Sequence, residues 1–384
     1  MSMHERRAGL TGGQSGRVGK AMRTIVLLLL SLGFAPAARA QTADWQKTWD
    51  ETIAAAKKEG KVVVVGSPHP EMRNEVIPRF TARFGIPVEF IAGKSGENVE
   101  RVRIERSSGI FAADAFMVGA STSLNVLYAE KMIDPLLPLL ILPEVTDGTK
   151  WKSGKLPFID PEGRYILRLF STIDTLVFIN TDQVKPEEMR SVEDLLSPKW
   201  RGKISTEDPT IDSGSGGNKA ANFYSQLGAE FVRKLYVDQK PVISRNRRQF
   251  ADWLARGTYP ICLTCRVDDT RPLQQSGFKI STIYELSGLR SRVNSTPFTL
   301  TVANKAAHPN AMRVFANWLA GKEAVEIYSR GDGAATLRTD VDESLLDPAA
   351  IPRPGVTYPD DADPTWRSAG KLEIGSKIRA LLKP

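Results

Sequence analysis

The sequence predicts an α/β protein of two lobes, and three observations carry that expectation. Lys61-Val-Val-Val-Val65 puts four valines in a row, as a strand reads when helices cover both faces of a parallel sheet. Three strand-like runs end in small turns that open helices, at Gly66-Ser67-Pro68-His69-Pro70, Gly93-Lys-Ser95-Gly96 and Gly119-Ala120-Ser121. In open α/β sheets the ligand crevice lies outside the carboxyl ends of the strands, where such turns converge. The stretch Arg164–Asn180 is too long for an ordinary strand of about five or six residues. It suits a segment that leaves one sheet, crosses, and enters another.

Taken in order, the chain opens with a leader. Met22–Ala40 holds Arg23, the apolar run Ile25–Leu32 and the small-x-small site Ala38-Arg39-Ala40, the pattern of a secretory signal peptide cleaved before Gln41. Gly33 and Pro36 interrupt the run, which falls short of the ~20 apolar residues of a membrane span. The residues before Met22 read either as a long basic n-region or as sequence ahead of a start at Met22. No cysteine at the cleavage site offers a lipid anchor. Cleavage removes six Lys/Arg and one acid from totals of 52 and 44, so the net charge falls from +8 to +3. The basic character is thus mostly leader, and the dense basic face of a nucleic-acid binder is lacking. The 344 residues that remain of the 384 suffice for two domains of roughly 150 each.

Asp44–Glu59 spaces Trp45, Trp49, Ile53 and Ala56 as a helix and stops at Gly60. After the valine strand, a helix is expected over Glu71–Phe84, a strand over Pro87–Ala92 and a helix over about Val99–Ser107. A third strand follows over Ala113–Val118, then a helix to Tyr128. Leu136–Pro161 is Pro-rich and reads as a connector. Past the crossing come a helix at Val192–Leu196, a strand at Ile204–Thr206, helices to Leu227 and near Glu230–Leu235, and a helix Arg248–Ala255 ended at Gly257. Thr296–Val302 is a candidate return crossing and Pro309–Leu319 an amphipathic helix. The tail after Leu346 is Pro/Asp-rich, with one short basic helix at its end.

Ile211–Ala221 contains Ser213, Gly214, Ser215, Gly216 and Gly217 ahead of a helix start. The free N–H groups and positive dipole end of such a helix attract a phosphate or carboxylate, and glycines let the backbone approach it. The plainer reading is a flexible loop with a Ser N-cap. No Gly-Lys-Ser/Thr follows, so this is not a nucleotide P-loop. Both cysteines lie in Cys262-Leu-Thr-Cys265. Read as a buried strand, this segment sends residues i and i+3 to opposite faces, so two buried thiols are expected ahead of a turn-borne disulfide. Of the three histidines, His4 lies in the leader and His308 precedes Pro309, leaving His69; no Gly-x-Ser-x-Gly or His-Glu-x-x-His motif is present. A binder without catalytic machinery or cofactor is therefore expected, with an enclosed small-molecule cleft rather than a flat interaction surface.

By Phe80-Thr-Ala-Arg-Phe-Gly-Ile-Pro-Val88, Gly96–Glu105, Ala113-Asp-Ala-Phe116, Val177–Asp182, Pro198-Lys-Trp-Arg-Gly-Lys-Ile204 and Phe315–Glu323, the chain resembles the periplasmic solute-binding proteins of ABC transporters, in the group that includes ferric-ion-binding proteins. The resemblance implies the type II two-lobed architecture with hinge strands, a periplasmic location, and an inner-membrane permease with its ATPase as partners. It implies lobe 1 as 41–168 plus 295–335 and lobe 2 as 169–294 plus 336–384. A monomer is expected.

Ferric-binding members use a His after the first strand, an acid after the third, adjacent tyrosines, and a hydroxyl-rich turn with an Asn for a partner anion. By resemblance His69 matches the first; the acidic position falls at Gly119 and the tyrosines at Val267-Asp268. Ser213, Gly214 and Ser215 match the anion turn and Asn246 the anion-binding Asn. The anion half of the site is thus expected to be kept and the iron half lost, since Fe³⁺ needs several anionic oxygen donors. No resident metal is expected. Ser67, Ser95, Gly96, Ala120 and Ser121 in the first-lobe turns, and Ser171 and Thr172 in the crossing, complete the expected lining. Among Arg245, Arg247, Arg248, Arg266 and Arg271, Arg266 follows the cysteine segment directly and is the one expected to fork onto the anion; Asp268 is expected at the pocket edge. His69 contacts the ligand or is a solvated or capping residue beside Pro68 and Pro70. The expected ligand is a small organic or phosphorylated anion, with ferric ion plus a synergistic anion as the alternative.

Overall fold

The structure, a computed structural model, describes residues 36–211, 215–360, 362–363 and 371–382. The apolar run of the expected signal peptide, and Ser213 and Gly214, lie outside the described residues. Among the described residues no helix is long and apolar enough to cross a membrane.

From Thr48 onward the chain forms one compact unit with two sheets and a hinge ladder. In chain order the strands are β1 (Val62–Gly66), β2 (Val88–Ala92), β3 (Ala115–Val118), β4 (Ile133–Asp134), β5 (Leu167–Arg168), β6 (Thr172–Ile173), β7 (Val177–Asn180), β8 (Ile204–Thr206), β9 (Val242–Ile243), β10 (Ile261–Cys262), β11 (Ile280–Ile283), β12 (Val293–Asn294) and β13 (Thr299–Ala303). The first sheet runs β2-β1-β3-β13-β4, with β5 also on β13; the second runs β11-β7-β10-β8-β9. The valine strand β1 pairs in parallel with both β2 and β3. Its side chains alternate between cores on opposite faces: Val62 and Val64 pack with Phe80 and Phe315, Val65 with Phe116 and Leu127. That double burial is why the run carries no polar alternation. In the second lobe Val177 and Ile179 face one core and Phe178 the other.

The two crossings meet as β6 and β12, paired antiparallel through Val293 opposite Ile173 and Asn294 opposite Thr172. The long stretch 164–180 does cross between sheets. The return crossing sits at 293–298, slightly earlier than 296–302, because Thr299–Ala303 already pairs with β3 as a strand of the first sheet.

The helices are α1 (Pro36–Glu59), α2 (Ile77–Phe84), α3 (Ser95–Ser107), α4 (Ala120–Thr122), α5 (Pro143–Thr146), α6 (Ser215–Arg233), α7 (Arg247–Ala255), α8 (Val267–Gln275), α9 (Pro309–Ala320), α10 (Lys322–Asp332) and α11 (Lys371–Leu381). Gly228, at φ 79, breaks α6. Three helices were not foreseen: α5, inside the Pro-rich connector, α8, which contains Pro272, and α10, which directly follows α9. The thiol expectation is corrected as well. Cys262 and Cys265 are joined in a disulfide with Cα atoms 5.7 Å apart. Strand β10 ends at Cys262, so the chain turns and brings the two side chains to the same side.

Candidate functional site

The carboxyl ends of β1, β2 and β3 deliver the first-lobe turns. Ser67 Oγ lies 3.5 Å from Ser95 Oγ, the first residue of α3, with Gly96 exposed beside it. Gly119 precedes α4, whose Ala120 is buried and Ser121 half-buried. His69 is only 3% exposed. Its Nδ1 is 3.2 Å from Asp332 Oδ1, and its ring stands edge-on to Tyr328. Asp332 is the last residue of α10, where the dipole is negative and a carboxylate is disfavoured. Two residues after His69, Glu71 lies against Gly331. Burial first, and then the nearby Asp332 carboxylate, push Glu71 up to about 7. His69 Nε2, Glu71 Oε2 and Asp332 Oδ2 are all buried without a hydrogen-bond partner.

The second lobe meets this group through the start of α8. Arg266 Nε donates to Asp268 Oδ1 at 3.1 Å, and its Nη2 is 3.8 Å from Asp332 Oδ1. Arg247 donates to both Asp268 and Asp269. Burial raises the Asp268 carboxyl, but Arg266 and Arg247 outweigh it and hold the group below the ordinary carboxylate range. Arg271 donates to the Arg330 and Gly331 carbonyls at the end of α10, so α8 and α10 are tied across the lobes. Donor atoms of His69, Asp268 and Asp332 lie within 4.8 Å of one another. Two guanidiniums, however, already neutralise Asp268.

Where the parallel strands β8 and β10 end, and where Glu207 N donates to Thr264 Oγ1, the N-terminus of α6 is engaged by a carboxylate of the chain itself. Ser215 N and Gly216 N donate to Glu207 Oε2 at 3.1 and 3.3 Å. A Cβ on Gly216 would stand 2.5 Å from Asp208 O, so only glycine permits this approach. Asn246 is exposed, and its Oδ1 caps α7 by accepting from Gln249 N at 3.4 Å. Ser171 Oγ accepts from Arg168, and Thr172 Oγ1 accepts from Ala335 N, so both crossing hydroxyls already bond within the fold. The buried Lys219 of α6 donates to Thr175 O beside the hinge. The structure brings His69, Arg266 and Asp268 together with Glu71 and Asp332, two residues that sequence reading missed, while Ser67 meets Ser95. The signal for Asp332 was an acid placed just before the helix-ending Gly333.

The profile of the bacterial extracellular solute-binding protein family matches residues 61–331. The chain belongs to that family. Iron uptake protein A1 of Synechocystis sp. is 26% identical over 144 residues, which are 38% of this chain and 36% of that protein, so the match spans about a third of that relative's length. The IdiA (FutA) protein of Trichodesmium, in complex with iron and citrate, superposes with TM-score 0.57 at 18% identity, covering 84% of this chain and 98% of that one. The periplasmic binding protein AfuA from Actinobacillus pleuropneumoniae, with fructose-6-phosphate bound, gives TM-score 0.61 at 17% identity, covering 84% and 98%. These likenesses establish the two-lobed type II fold of this solute-binding protein. Its family is one of binding proteins.

Proposed function

We propose that this solute-binding protein is the periplasmic substrate-binding component of an ABC import system and holds a small organic or phosphorylated anion in the interlobe cleft. The observation that carries this reading is Glu207: the N-terminus of α6 already receives a carboxylate on two backbone N–H groups, as a helix start does for an anion. Glu207 stands in the solute's place. The pairing of Asp268 with two arginines adds support, because a trivalent cation there would face two positive charges. The solute docks on Ser213, Gly214 and Ser215, with Ser67, Ser95 and Ser121 opposite. The lobes, bounded as 41–168 plus 295–335 and 169–294 plus 336–384, close about the β6–β12 hinge. Closure is driven by contacts the open form lacks. The exported monomer, cleaved after Ala40, hands its cargo to a membrane permease coupled to an ATPase; it performs no catalysis. AfuA, bound to a sugar phosphate, is a precedent in the same fold.

A thermal-shift screen of sugar phosphates, phosphonates, carboxylates and ferric citrate tests the reading. A ligand at 100 times its Kd adds about 2.7 kcal/mol, and the absence of any shift with every anion would sink it. The second reading, ferric ion with a synergistic anion, is favoured by the clustered His69, Asp268 and Asp332 donors and by the name of the iron-uptake relative. Stoichiometric iron in the purified protein, lost in Asp332→Asn, would select it.

A further inference from the structure

We infer that the C-terminal tail is a strap along the hinge ladder that limits how far the lobes turn on one another, with Arg168 and Asp360 as its clasp. This rests on the β6–β12 hinge of the reading above and not on the solute. The ladder itself is slight: two residue pairs join β6 to β12, and a two-stranded ribbon is marginal alone. The tail gives both crossings a further partner. Just before β6, Phe170 bridges Thr336 in antiparallel fashion, Ser171 N donates to Ala335 O at 2.8 Å, and Ala335 N donates to Thr172 Oγ1 at 3.0 Å. On β12, Val293 bridges Asp360 in parallel, and its N–H donates to Pro359 O at 2.9 Å. Between these two passes, Ala350 and Tyr358 cluster with Ile173, Tyr284 and Val293.

The two ends of the tail are anchored in different cores. At its start the buried Arg338 donates to Ala320 O and Glu144 O and lies over the Trp151 ring, and Val341 packs into the core that holds Phe80 and Phe315. At its end Ile374, Ile378 and Leu381 of α11 pack into the core of the second sheet with Phe223. A turn of one lobe on the other therefore moves the tail against fixed ends. Pro348, Pro352, Pro354 and Pro359 fix φ along it, so it does not absorb that motion as a Gly/Ser linker would. Arg168, the last residue of β5 and buried, donates from Nη1 to Asp360 Oδ2 at 2.6 Å and from Nε to Phe170 O at 2.9 Å. The charge-assisted bond ties the edge of the first sheet to the tail where it lies on β12.

Double electron-electron resonance between nitroxides on Glu97→Cys and Arg245→Cys, exposed positions in the two lobes, reads the interlobe distance in the ligand-free protein with its native disulfide oxidised. A protease recognition sequence inserted between Gly355 and Val356, both exposed, lets the strap be cut after folding. The uncut insertion should keep the wild-type distance distribution, and cutting should broaden it about twofold, as for a joint held by the ladder alone. Asp360→Asn should broaden it by less without any cut. Circular dichroism and gel filtration check that the samples stay folded with α11 attached, and Asp360→Asn alone decides if the cut protein unfolds. A broad wild-type distribution that neither change alters would overturn the strap and leave the hinge standing. One equally narrow distance in every sample would remove both.

Discussion

The two ends of the candidate site are built in opposite ways. At the N-terminus of α6 the second lobe offers backbone donors that the chain's own Glu207 already occupies. At the end of β1 the first lobe gathers acceptors, and three of them remain unsatisfied. The donor end can be held ready without a ligand because a nearby carboxylate substitutes for one. At the acceptor end Arg266 reaches one oxygen of Asp332 from the opposite lobe, and the other oxygen is left without a partner. Stability is therefore sacrificed on the first lobe and conserved on the second, and variants at each end should move it in opposite directions.

The largest effect is expected at Glu71. A carboxyl raised from 4.5 to about 7 binds more protons folded than unfolded, so stability is greatest below the unfolded value and falls as pH rises toward 7. Glu71→Gln should accordingly stabilise the ligand-free protein by up to about 3 kcal/mol at pH 8, shrinking to under about 1 kcal/mol at pH 5, in urea titrations. A pH-independent difference would show that the acceptor end is not strained. Next, reducing Cys262–Cys265, which closes the turn leading to Arg266, should cost about 2 kcal/mol for so short a loop, read as a drop in Tm with dithiothreitol; no change would detach that turn from the stability of the second lobe.

At the donor end, Glu207→Gln should destabilise by about 1 kcal/mol, as for loss of a helix-start carboxylate. The same change should tighten anion binding several-fold, because the internal competitor is gone. Weaker anion binding would instead make Glu207 part of the solute's own shell. The smallest effect belongs to Arg271→Ala, which unties α8 from the carbonyl end of α10 at a cost of under about 1 kcal/mol. Small-angle scattering should then report a wider ligand-free particle, and an unchanged profile would mean the lobes are held together elsewhere.

Much of this was readable from residues. The valine run, the three turns and the over-long crossing carried the α/β class and the hinge, since strand burial and strand length are local properties. His69 was found because it follows a strand. Glu71 was missed two positions on, because nothing local distinguishes a buried helix-start Glu from a solvated one. Glu207 was missed because it reads as the polar end of a short strand, and its role depends on α6 folding back onto it. The thiol expectation failed for a similar reason: an extended reading of Tyr259–Cys265 separates side chains that the turn after Cys262 brings together.

By itself, the sequence determined the layered α/β lobes, the segment joining them and the turns that follow the first three strands. Hydrophobic period and glycine placement act over a few residues, so they are written along the chain. Only the tertiary structure decided the chemistry of the site. It placed Asp332 beside His69, which lies 263 positions earlier, brought Arg266 within reach of Asp332, and put Glu207 at the N-terminus of α6. A charge acquires its meaning from what surrounds it once water is excluded, and that surrounding is assembled from distant segments only when the fold closes.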